Sequence, residues 1–200
     1  MPDQVPASAR PPAPRHSLGS YRVSLVCLGN ICRSPTAEVV LREELAVAGL
    51  SAAVEVDSSG TGDWHLGGQM DPGARAELAA RGYDGSRHRA RQFDRSWFSR
   101  YDLVVAMDRN NLADLRKMAP DAETGRDRIR LLRWFDPELS ASDSARDQPD
   151  GPHHDEVPDP YHGTPEEYGL AFDLVKAAVI GLADQLTELL RDRALSPPER

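Results

Sequence analysis

The stretch YRVSLVCLGNICRSPTAEVVLREEL, residues 21–45, decides the fold, because it holds a strand, a loop and the start of a helix. Residues 21–26 alternate and end in apolar and β-branched side chains, which predicts a buried strand. After the loop, Ser34 suits a helix N-cap and Pro35 the first helical position, and apolar residues then recur at helical spacing. A strand that leads through a short loop into a helix is typical of folds with a parallel sheet.

The loop itself, residues 27–34, carries a thiol at Cys27 and a guanidinium at Arg33. Amides of such a loop can converge on an anion at the helix N-terminus, and the same positive field favours the thiolate of a nearby cysteine. Gly29 lets the backbone approach an anion closely, and Asn30 tolerates a left-handed conformation. The spacing between Cys27 and Arg33 is a weak signal by itself. Together with the loop and the helix start, it predicts a cradle that holds a tetrahedral dianion against a sulfur nucleophile.

Composition bounds the class of protein. The chain has 200 residues, of which 40% are hydrophobic and 28% charged, as expected for one soluble domain. No apolar run approaches a membrane span, and the missing signal pattern predicts a cytoplasmic location, although export without a signal peptide stays open. A net charge of −8 argues against nonspecific nucleic-acid binding. Two cysteines five residues apart do not form a disulfide scaffold.

Strands and helices alternate along the chain. Further strands are predicted at residues 53–56, 102–107 and 129–134, and further helices at residues 74–81, 93–100, 110–118 and 166–193. This order predicts a single-domain α/β fold, a four-stranded parallel sheet with helices on both faces, of the Rossmann-like type. Ligands in such folds bind at the carboxyl ends of the strands, where Cys27 falls. Residues 1–20, rich in proline, are predicted to be a disordered tail, residues 21–194 the domain, and residues 195–200 a flexible C-terminus.

A polar, acidic stretch, residues 138–158, contains side chains of the types that bind metals. A site built from His153, His154, Asp155 and Glu156 is conceivable. A solvated loop is favoured, because adjacent residues seldom close one coordination shell. The sequence therefore predicts no metal and no other cofactor.

A thiolate that attacks a phosphate ester needs a carboxylic acid to protonate the leaving oxygen. Asp159 is the best candidate, because its two flanking prolines stiffen the loop. Taken alone, an ordinary Asp-Pro turn is the favoured interpretation of these residues. Asp136 also precedes a proline, but it follows the last predicted strand and is interpreted as the end of that strand.

Residues 27–38, CLGNICRSPTAE, resemble the phosphate loop of the low-molecular-weight protein tyrosine phosphatases. The resemblance covers roughly residues 21–190 and continues in the family's order through VDSSGTGDWH (56–65), HRARQ (88–92), DLVVAMDRNN (102–111), FDP (135–137) and PDPYHG (158–163). It implies the low-molecular-weight phosphatase fold and the hydrolysis of protein phosphotyrosine and small aryl phosphates.

The resemblance also implies roles for single residues. Cys27 would be the nucleophile that forms a phosphocysteine, Asp159 the general acid and then the base, and Arg33 a clamp on the phosphate oxygens. The phosphate-binding loop would comprise Leu28, Gly29, Asn30, Ile31, Cys32 and Ser34. A polar network of Asn30, Ser34, Ser58 and His88 would support the loop and the thiolate. Trp64 and Tyr161 would wall an aromatic slot, with His65 and His162 at its rim.

Three other functions are weighed against this one. Arsenate reductases share the fold but need more cysteines than Cys27 and Cys32, the two in this chain. Protein-arginine phosphatases usually carry threonine where Ile31 stands. A catalytically dead phosphopeptide-binding module would not need an intact Cys27, Arg33 and Asp159.

The resemblance extends to regulation and partners. In the family, the second cysteine of the loop, here Cys32, can form a reversible disulfide with the nucleophile. The expected partners are phosphotyrosine proteins such as a bacterial tyrosine kinase, and neither nucleic acid nor a membrane is expected. A monomer or weak dimer is predicted.

Overall fold

The computed structural model describes residues 10–16, 19–140 and 154–195. Within these ranges, one sheet contains the strands Tyr21–Cys27 (β1), Val54–Gly60 (β2), Leu103–Ala106 (β3) and Ile129–Leu131 (β4). The strand order is β2-β1-β3-β4, and each neighbouring pair is parallel. The helices of this part of the chain are Arg33–Val47 (α1), Pro72–Ala80 (α2), Arg109–Met118 (α3), Pro137–Ser140 (α4) and Pro165–Leu195 (α5). The predicted α/β class and the parallel four-stranded sheet are confirmed.

Helices cover both faces of the sheet, because alternate strand residues point to opposite sides. On one face, Val23 and Leu25 of β1 share a buried cluster with residues of α1 and α5, including Leu41 and Phe172. On the other face, Val104 and Ala106 of β3 pack with Leu112 and Leu115 of α3 and with the aromatic residues Phe93 and Phe98. Burial of each large apolar side chain stabilises the fold by about 1.5 to 3 kcal/mol before the entropy cost.

The connections leave a crevice at one edge of the sheet. Helix α1 follows β1 and leads outward to β2, whereas α3 follows β3 and leads to β4 on the opposite side. The strand order therefore reverses between β1 and β3, which is the point where open parallel sheets bind their ligands. The carboxyl ends of β1 and β3, at Cys27 and Ala106, both face this crevice.

The outer edge of β2 is covered by arginine side chains. Nε and Nη2 of Arg42 donate to the carbonyl oxygen of Val56 at 3.0 and 2.6 Å. Nη2 of Arg91 donates to the carbonyl oxygen of Ser58 at 2.9 Å. These contacts fill acceptors that the edge strand would otherwise present to solvent.

Several predicted boundaries differ from the structure. Strand β2 continues through Ser58 to Gly60, beyond the predicted residues 53–56, because its serines are buried against β1. Strand β4 ends at Leu131, and the remaining residues of the predicted strand, 129–134, enter the 3₁₀ turn Leu132–Phe135. Residues 93–100 contain the 3₁₀ turn Arg95–Ser99.

The prediction that Ser34 caps helix α1 is wrong. The N-cap position belongs to Cys32, whose side chain makes no capping hydrogen bond, and Ser34 lies inside the first turn of the helix. The hydroxyl of Ser34 turns instead towards Cys27, with its oxygen 3.0 Å from the sulfur. Serine is common at N-caps, but here no side chain caps α1, and the backbone amides at its start stay available to another partner.

The prediction of a disordered tail over residues 1–20 is wrong for residues 10–16. The hydroxyl of Tyr21 donates to the carbonyl oxygen of Pro12 at 2.9 Å, and Arg128 donates to that of Ala13 at 3.0 Å. The guanidinium of Arg15 donates to the carbonyl oxygens of Tyr101, Phe98 and Thr124. Hydrogen bonds to the domain thus order a segment that lacks apolar periodicity.

Parts of the predicted tails lie outside the described residues, namely residues 1–9, 17–18 and 196–200. Helix α5 continues to Leu195, two residues past the predicted end. Within the described ranges, no helix has the length and apolar character needed to cross a bilayer.

Replacing Arg15 with alanine should lower the free energy of unfolding by about 1 to 3 kcal/mol, because three carbonyl oxygens lose their donor. Urea denaturation followed by circular dichroism measures the change. Arg10→Ala is the matched control, since the side chain of Arg10 is exposed and its backbone carbonyl is what accepts from Arg130. Equal midpoints for wild type and Arg15→Ala would contradict an anchoring role.

Candidate active site

Cys27 ends strand β1, and its buried thiol sits inside the loop that follows. The backbone amide of Asn30 donates to its sulfur at 3.3 Å, and the hydroxyl oxygen of Ser34 lies 3.0 Å away. The end of β2 holds the loop from outside, since Thr61 N donates to Cys27 O at 2.9 Å. Gly60 is required at that approach, because a Cβ there would lie 2.5 Å from the carbonyl oxygen of Leu28.

Asn30 ties four parts of the chain together. Its backbone is left-handed, with a φ of 55°, as the sequence allows for asparagine. Its side-chain amide donates to the hydroxyl oxygens of Ser34 and Ser58, both at 2.9 Å, and its Oδ1 accepts from Arg91 N at 2.8 Å. Nε2 of His88 lies 2.6 Å from the carbonyl oxygen of Asn30. The structure therefore brings together the four residues that the sequence placed in one polar network.

Glu38 gives this network a direction. Its carboxylate can only accept, so the hydroxyl of Ser58 donates to Glu38 Oε2 at 2.5 Å. The oxygen of Ser58 then accepts from Asn30, which donates its other amide proton to Ser34. The hydroxyl proton of Ser34 is left to donate either to the sulfur of Cys27 or to the carbonyl oxygen of Ser59, which lies 3.2 Å away. A thiolate at Cys27 therefore has an N–H donor in Asn30 and an available O–H donor in Ser34.

Arg33 lies almost fully buried beside the thiol, with 3% of its side chain exposed. Its Nη1 donates to Asp108 Oδ2 at 2.5 Å and to Val157 O at 3.3 Å, and its Nη2 donates to Asp159 Oδ2 at 2.5 Å. Burial alone would lower the pKa of Arg33, but the negative charges of Cys27, Asp159 and Asp108 together raise it. Nε of Arg33 is buried and has no hydrogen-bond partner among the described residues, as expected for a donor reserved for an anion.

Asp159 lines the same cleft as the thiol, and its carboxylate is partly exposed. Besides the contact with Arg33, this carboxylate accepts a local hydrogen bond from Tyr161 N to Oδ1 at 3.3 Å. Asp136, the rival aspartate, is buried elsewhere, where it pairs with Arg133 at 3.0 Å and accepts from Glu138 N at 3.0 Å. Asp136 thus begins α4 rather than ending β4.

A cleft of about 290 Å³ opens above the thiol. It is lined by Cys27, Leu28, Gly29, Ile31, Cys32, Arg33, Trp64, His65, Asp159 and Tyr161. The rings of His65 and Tyr161 meet edge to face at 5.9 Å. A charged floor with aromatic and apolar walls suits an aryl group that carries an anion.

The structure separates His162 from this lining. Its ring stacks on that of Tyr161 with the centroids 3.8 Å apart, and its backbone is left-handed with a φ of 63°. The proposed rim position for His162 therefore rests on contact with Tyr161 rather than on facing the cleft. Trp64 is 70% exposed, and its indole covers Gly62, where a Cβ would lie 1.8 Å from the ring.

Burial shifts the pKa values of Cys32 and His88, which belong to the loop or contact it. Cys32 is a buried free thiol, and burial raises its pKa above the usual range. Burial also lowers the pKa of His88, although its bond to Asn30 and the charge of Glu38 oppose this shift. Both effects favour the neutral forms of these side chains.

The conceivable metal site is not assembled in the part of the chain that the structure describes. His153 lies outside that part, and His154 is exposed. The carboxylates of Asp155 and Glu156 both bind Arg109 instead. Among the described residues, no group of three or more His, Cys, Asp or Glu side chains could hold a metal ion.

Sequence reasoning missed two carboxylates of the site. Asp108 caps α3 through Asn111 N at 2.6 Å and also accepts from Arg33. It lies two residues past the end of β3, at the same edge of the sheet as Cys27, so the rule about carboxyl ends of strands could have found it. Glu38 lies in the helix that the sequence predicted, but no local signal shows its bond to Ser58.

Comparison with known proteins gives a consistent result. Residues 22–192 match the family described as low molecular weight phosphotyrosine protein phosphatase. The chain is 46% identical over 175 residues to the low molecular weight protein-tyrosine-phosphatase of Streptomyces coelicolor, covering 88% of this chain and 99% of that protein. It is 39% identical over 168 residues to the low molecular weight protein-tyrosine phosphatase A of Mycobacterium tuberculosis, covering 84% and 93%. A crystal structure of a protein tyrosine phosphatase from Entamoeba histolytica, with Hepes in its active site, matches with a TM-score of 0.72 and 31% identity, over 84% and 98%.

Replacing Asn30 with alanine or with glycine should slow alkylation of Cys27 by iodoacetamide at pH 7 by about tenfold, because the bonds to Ser34 and Ser58 are lost. The two variants separate the backbone from the side chain, since glycine tolerates the left-handed φ and alanine does not. Mass spectrometry of the alkylated peptide distinguishes Cys27 from Cys32. A wild-type rate in Asn30→Gly would mean that the backbone conformation alone matters.

Proposed function

The chain belongs to the low molecular weight phosphotyrosine protein phosphatase family and is a protein-tyrosine phosphatase, and we propose that it works through a phosphocysteine on Cys27 with Asp159 as general acid and base. One observation carries this assignment of roles. The thiol of Cys27, the guanidinium of Arg33 and the carboxylate of Asp159 all line one cleft.

The phosphate of the substrate would bind in the loop, residues 28–33, between the backbone amides and the guanidinium of Arg33. The buried and unpartnered Nε of Arg33 supports this placement, because a phosphate oxygen would satisfy it. The Entamoeba histolytica phosphatase holds Hepes in its active site, and the sulfonate of Hepes is an anion of similar shape. Residues 27–33 would thus act as the Cys-x5-Arg phosphate loop of the family.

Substrate binding would also prepare the acid. Asp159 accepts from Arg33 Nη2 at 2.5 Å. A dianion bound in the loop would compete for the same guanidinium and release Asp159.

The reaction would then take two steps. Cys27 attacks phosphorus, the S–P bond forms, the P–O bond to the aryl group breaks, and Asp159 gives its proton to the leaving oxygen. In the second step, Asp159 takes a proton from water, the oxygen of that water attacks phosphorus, and the S–P bond breaks. The products are inorganic phosphate and the free thiolate of Cys27, which Ser34 and Asn30 stabilise by their hydrogen bonds.

The shape of the cleft favours aryl phosphates. Trp64 and Tyr161 stand above the loop, so a phenyl ring can reach the thiol between them, whereas the short side chain of phosphoserine cannot. Ile31 also lines the cleft, at the position where protein-arginine phosphatases usually carry threonine. The chain has two cysteines, which leaves no third thiol for an arsenate reductase relay.

Redox control is a further part of the proposal. Oxidation of Cys27 to a sulfenic acid would allow the thiol of Cys32 to attack its sulfur, with the release of water and formation of a disulfide. Both thiols line the cleft, and burial raises the pKa of Cys32, which lowers the share of its reactive thiolate form. The partner kinase, the cytoplasmic location and the monomeric or weakly dimeric state stay predictions.

Replacing Asp159 with alanine should reduce kcat/KM for phenyl phosphate by about 100-fold or more, and less for p-nitrophenyl phosphate, whose leaving group needs less protonation. Phosphate release measures both rates, and Cys27→Ser provides the background. An equal loss on the two substrates would contradict the acid role of Asp159, and residual activity of Cys27→Ser equal to wild type would contradict the nucleophile.

Replacing Cys32 with alanine should leave the initial phosphatase activity largely intact but reduce the activity recovered with dithiothreitol after peroxide treatment. The reason is that the sulfenic acid of Cys27 would then be oxidised further to an irreversible form. The fraction of activity recovered after matched peroxide exposure measures this. Full recovery in Cys32→Ala would refute a protective role for this cysteine.

A further inference from the structure

We propose that Asp155 is a positioning residue that holds the general acid Asp159 above the thiol, an inference that rests on the role proposed for Asp159. The contacts that carry it come from the three residues that lead into the acid loop, residues 155–157. Within the described part of the chain, the side chains of these three residues make no hydrogen bond to the phosphate-binding loop.

Asp155 is a buried carboxylate gripped by two separate elements. Arg109, the first residue of α3, donates through Nη2 to Oδ2 at 2.9 Å and through Nε to Oδ1 at 3.2 Å. The indole Nε1 of Trp134, in the turn after β4, donates to the same Oδ2 at 3.2 Å. A two-pronged contact of this kind fixes direction as well as distance.

The next two residues are held at the same place. Glu156 Oε1 accepts from the backbone amide of Arg109 at 2.8 Å, at the N-terminus of α3. Val157 N donates to Met107 O at 2.9 Å, and Val157 is fully buried. The prolines on either side of Asp159 then limit the backbone, so the position of Asp159 follows from that of residues 155–157.

Asp159 needs this support because its own contacts are few. Its carboxylate is partly exposed and binds Arg33, together with the local bond from Tyr161 N. A bound phosphate dianion would compete for Arg33, as proposed above. With substrate bound, the orientation of the Asp159 carboxyl group would therefore depend on the hydrogen bonds that Arg109 and Trp134 donate to Asp155.

The N-terminus of α3 contacts both Arg33 and the segment that leads to Asp159. Asp108 accepts from Arg33, and the adjacent Arg109 holds Asp155. One helix end thereby sets the separation between the phosphate clamp and the acid. An error of about 1 Å in such a separation can cost as much as 100-fold in rate.

The test compares Asp155→Asn with wild type on two substrates, p-nitrophenyl phosphate and phenyl phosphate. We expect kcat/KM, which reports the step up to phosphocysteine formation, to fall about tenfold further on phenyl phosphate. The matched control is Asp102→Asn. Asp102 is also buried and accepts from Arg15 N and Arg22 N, but at the amino end of β3, away from the cleft. Asp102→Asn should leave the ratio of the kcat/KM values for the two substrates unchanged.

A double-mutant cycle with Asp159→Ala separates positioning from general destabilisation. If Asp155 acts through Asp159, adding Asp155→Asn to Asp159→Ala should cause no further change in the substrate ratio. Trp134→Phe, which removes one donor to Asp155, should shift the ratio in the same direction by less, and it serves if Asp155→Asn does not fold. Equal losses on both substrates in Asp155→Asn and in Trp134→Phe, or a ratio that still shifts in the Asp159→Ala background, would overturn the inference. An unchanged ratio in Asp159→Ala alone would instead refute the proposed acid.

Discussion

The left-handed turn at Asn30 is the constraint on which the rest of the site depends. It lets the backbone amide of Asn30 point at the sulfur of Cys27 while the side chain reaches away to Ser34 and Ser58. One residue thereby joins the end of β1, the first turn of α1 and the middle of β2. The loop amides can converge on an anion because these bonds hold the loop closed before any ligand arrives.

The sheet supplies the second level of organisation. Since β1 and β3 are parallel neighbours, their carboxyl ends reach the same crevice, which brings both Cys27 and Asp108 close to Arg33. Helix α1 then presents its N-terminus to the phosphate loop, and α3 presents its own to the segment before Asp159. Two helix ends of equal polarity, side by side, favour negative charge in the space between them.

The sequence predicted the parts of the molecule that depend on local pattern. The buried alternation of residues 21–26, the glycine in the loop and the apolar spacing in α1 specify a strand, a turn and a helix without reference to distant residues. Resemblance to a family then located Asp159 and the aromatic walls, which the residues alone left open. The prediction of the polar network needed both local pattern and the family resemblance, because its members are separated by up to 58 positions, as in the contact between His88 and Asn30.

What could not be predicted depends on contacts between distant segments. Ser34 fits the statistics of a cap, and only the nearby sulfur explains why its hydroxyl serves Cys27 instead. The order of residues 10–16 comes mainly from hydrogen bonds with residues more than eighty positions away, such as Arg128, and not from their own composition. For the same reason, the contacts of Glu38 and Asp155 could not be predicted, because their hydrogen-bond partners lie far away in the sequence.

The arginines along β2 have a consequence for the behaviour of the chain in crowded solution. An open edge strand offers carbonyl oxygens to any extended peptide, and sheet extension from such an edge starts many aggregates. Arg42 and Arg91 occupy the carbonyl oxygens of Val56 and Ser58, and Gln92 pairs with Gly60 at the end of the strand. A foreign strand would have to displace two guanidinium groups before it could pair. The arginine side chains thus protect the exposed edge of β2 against pairing with a strand of another molecule.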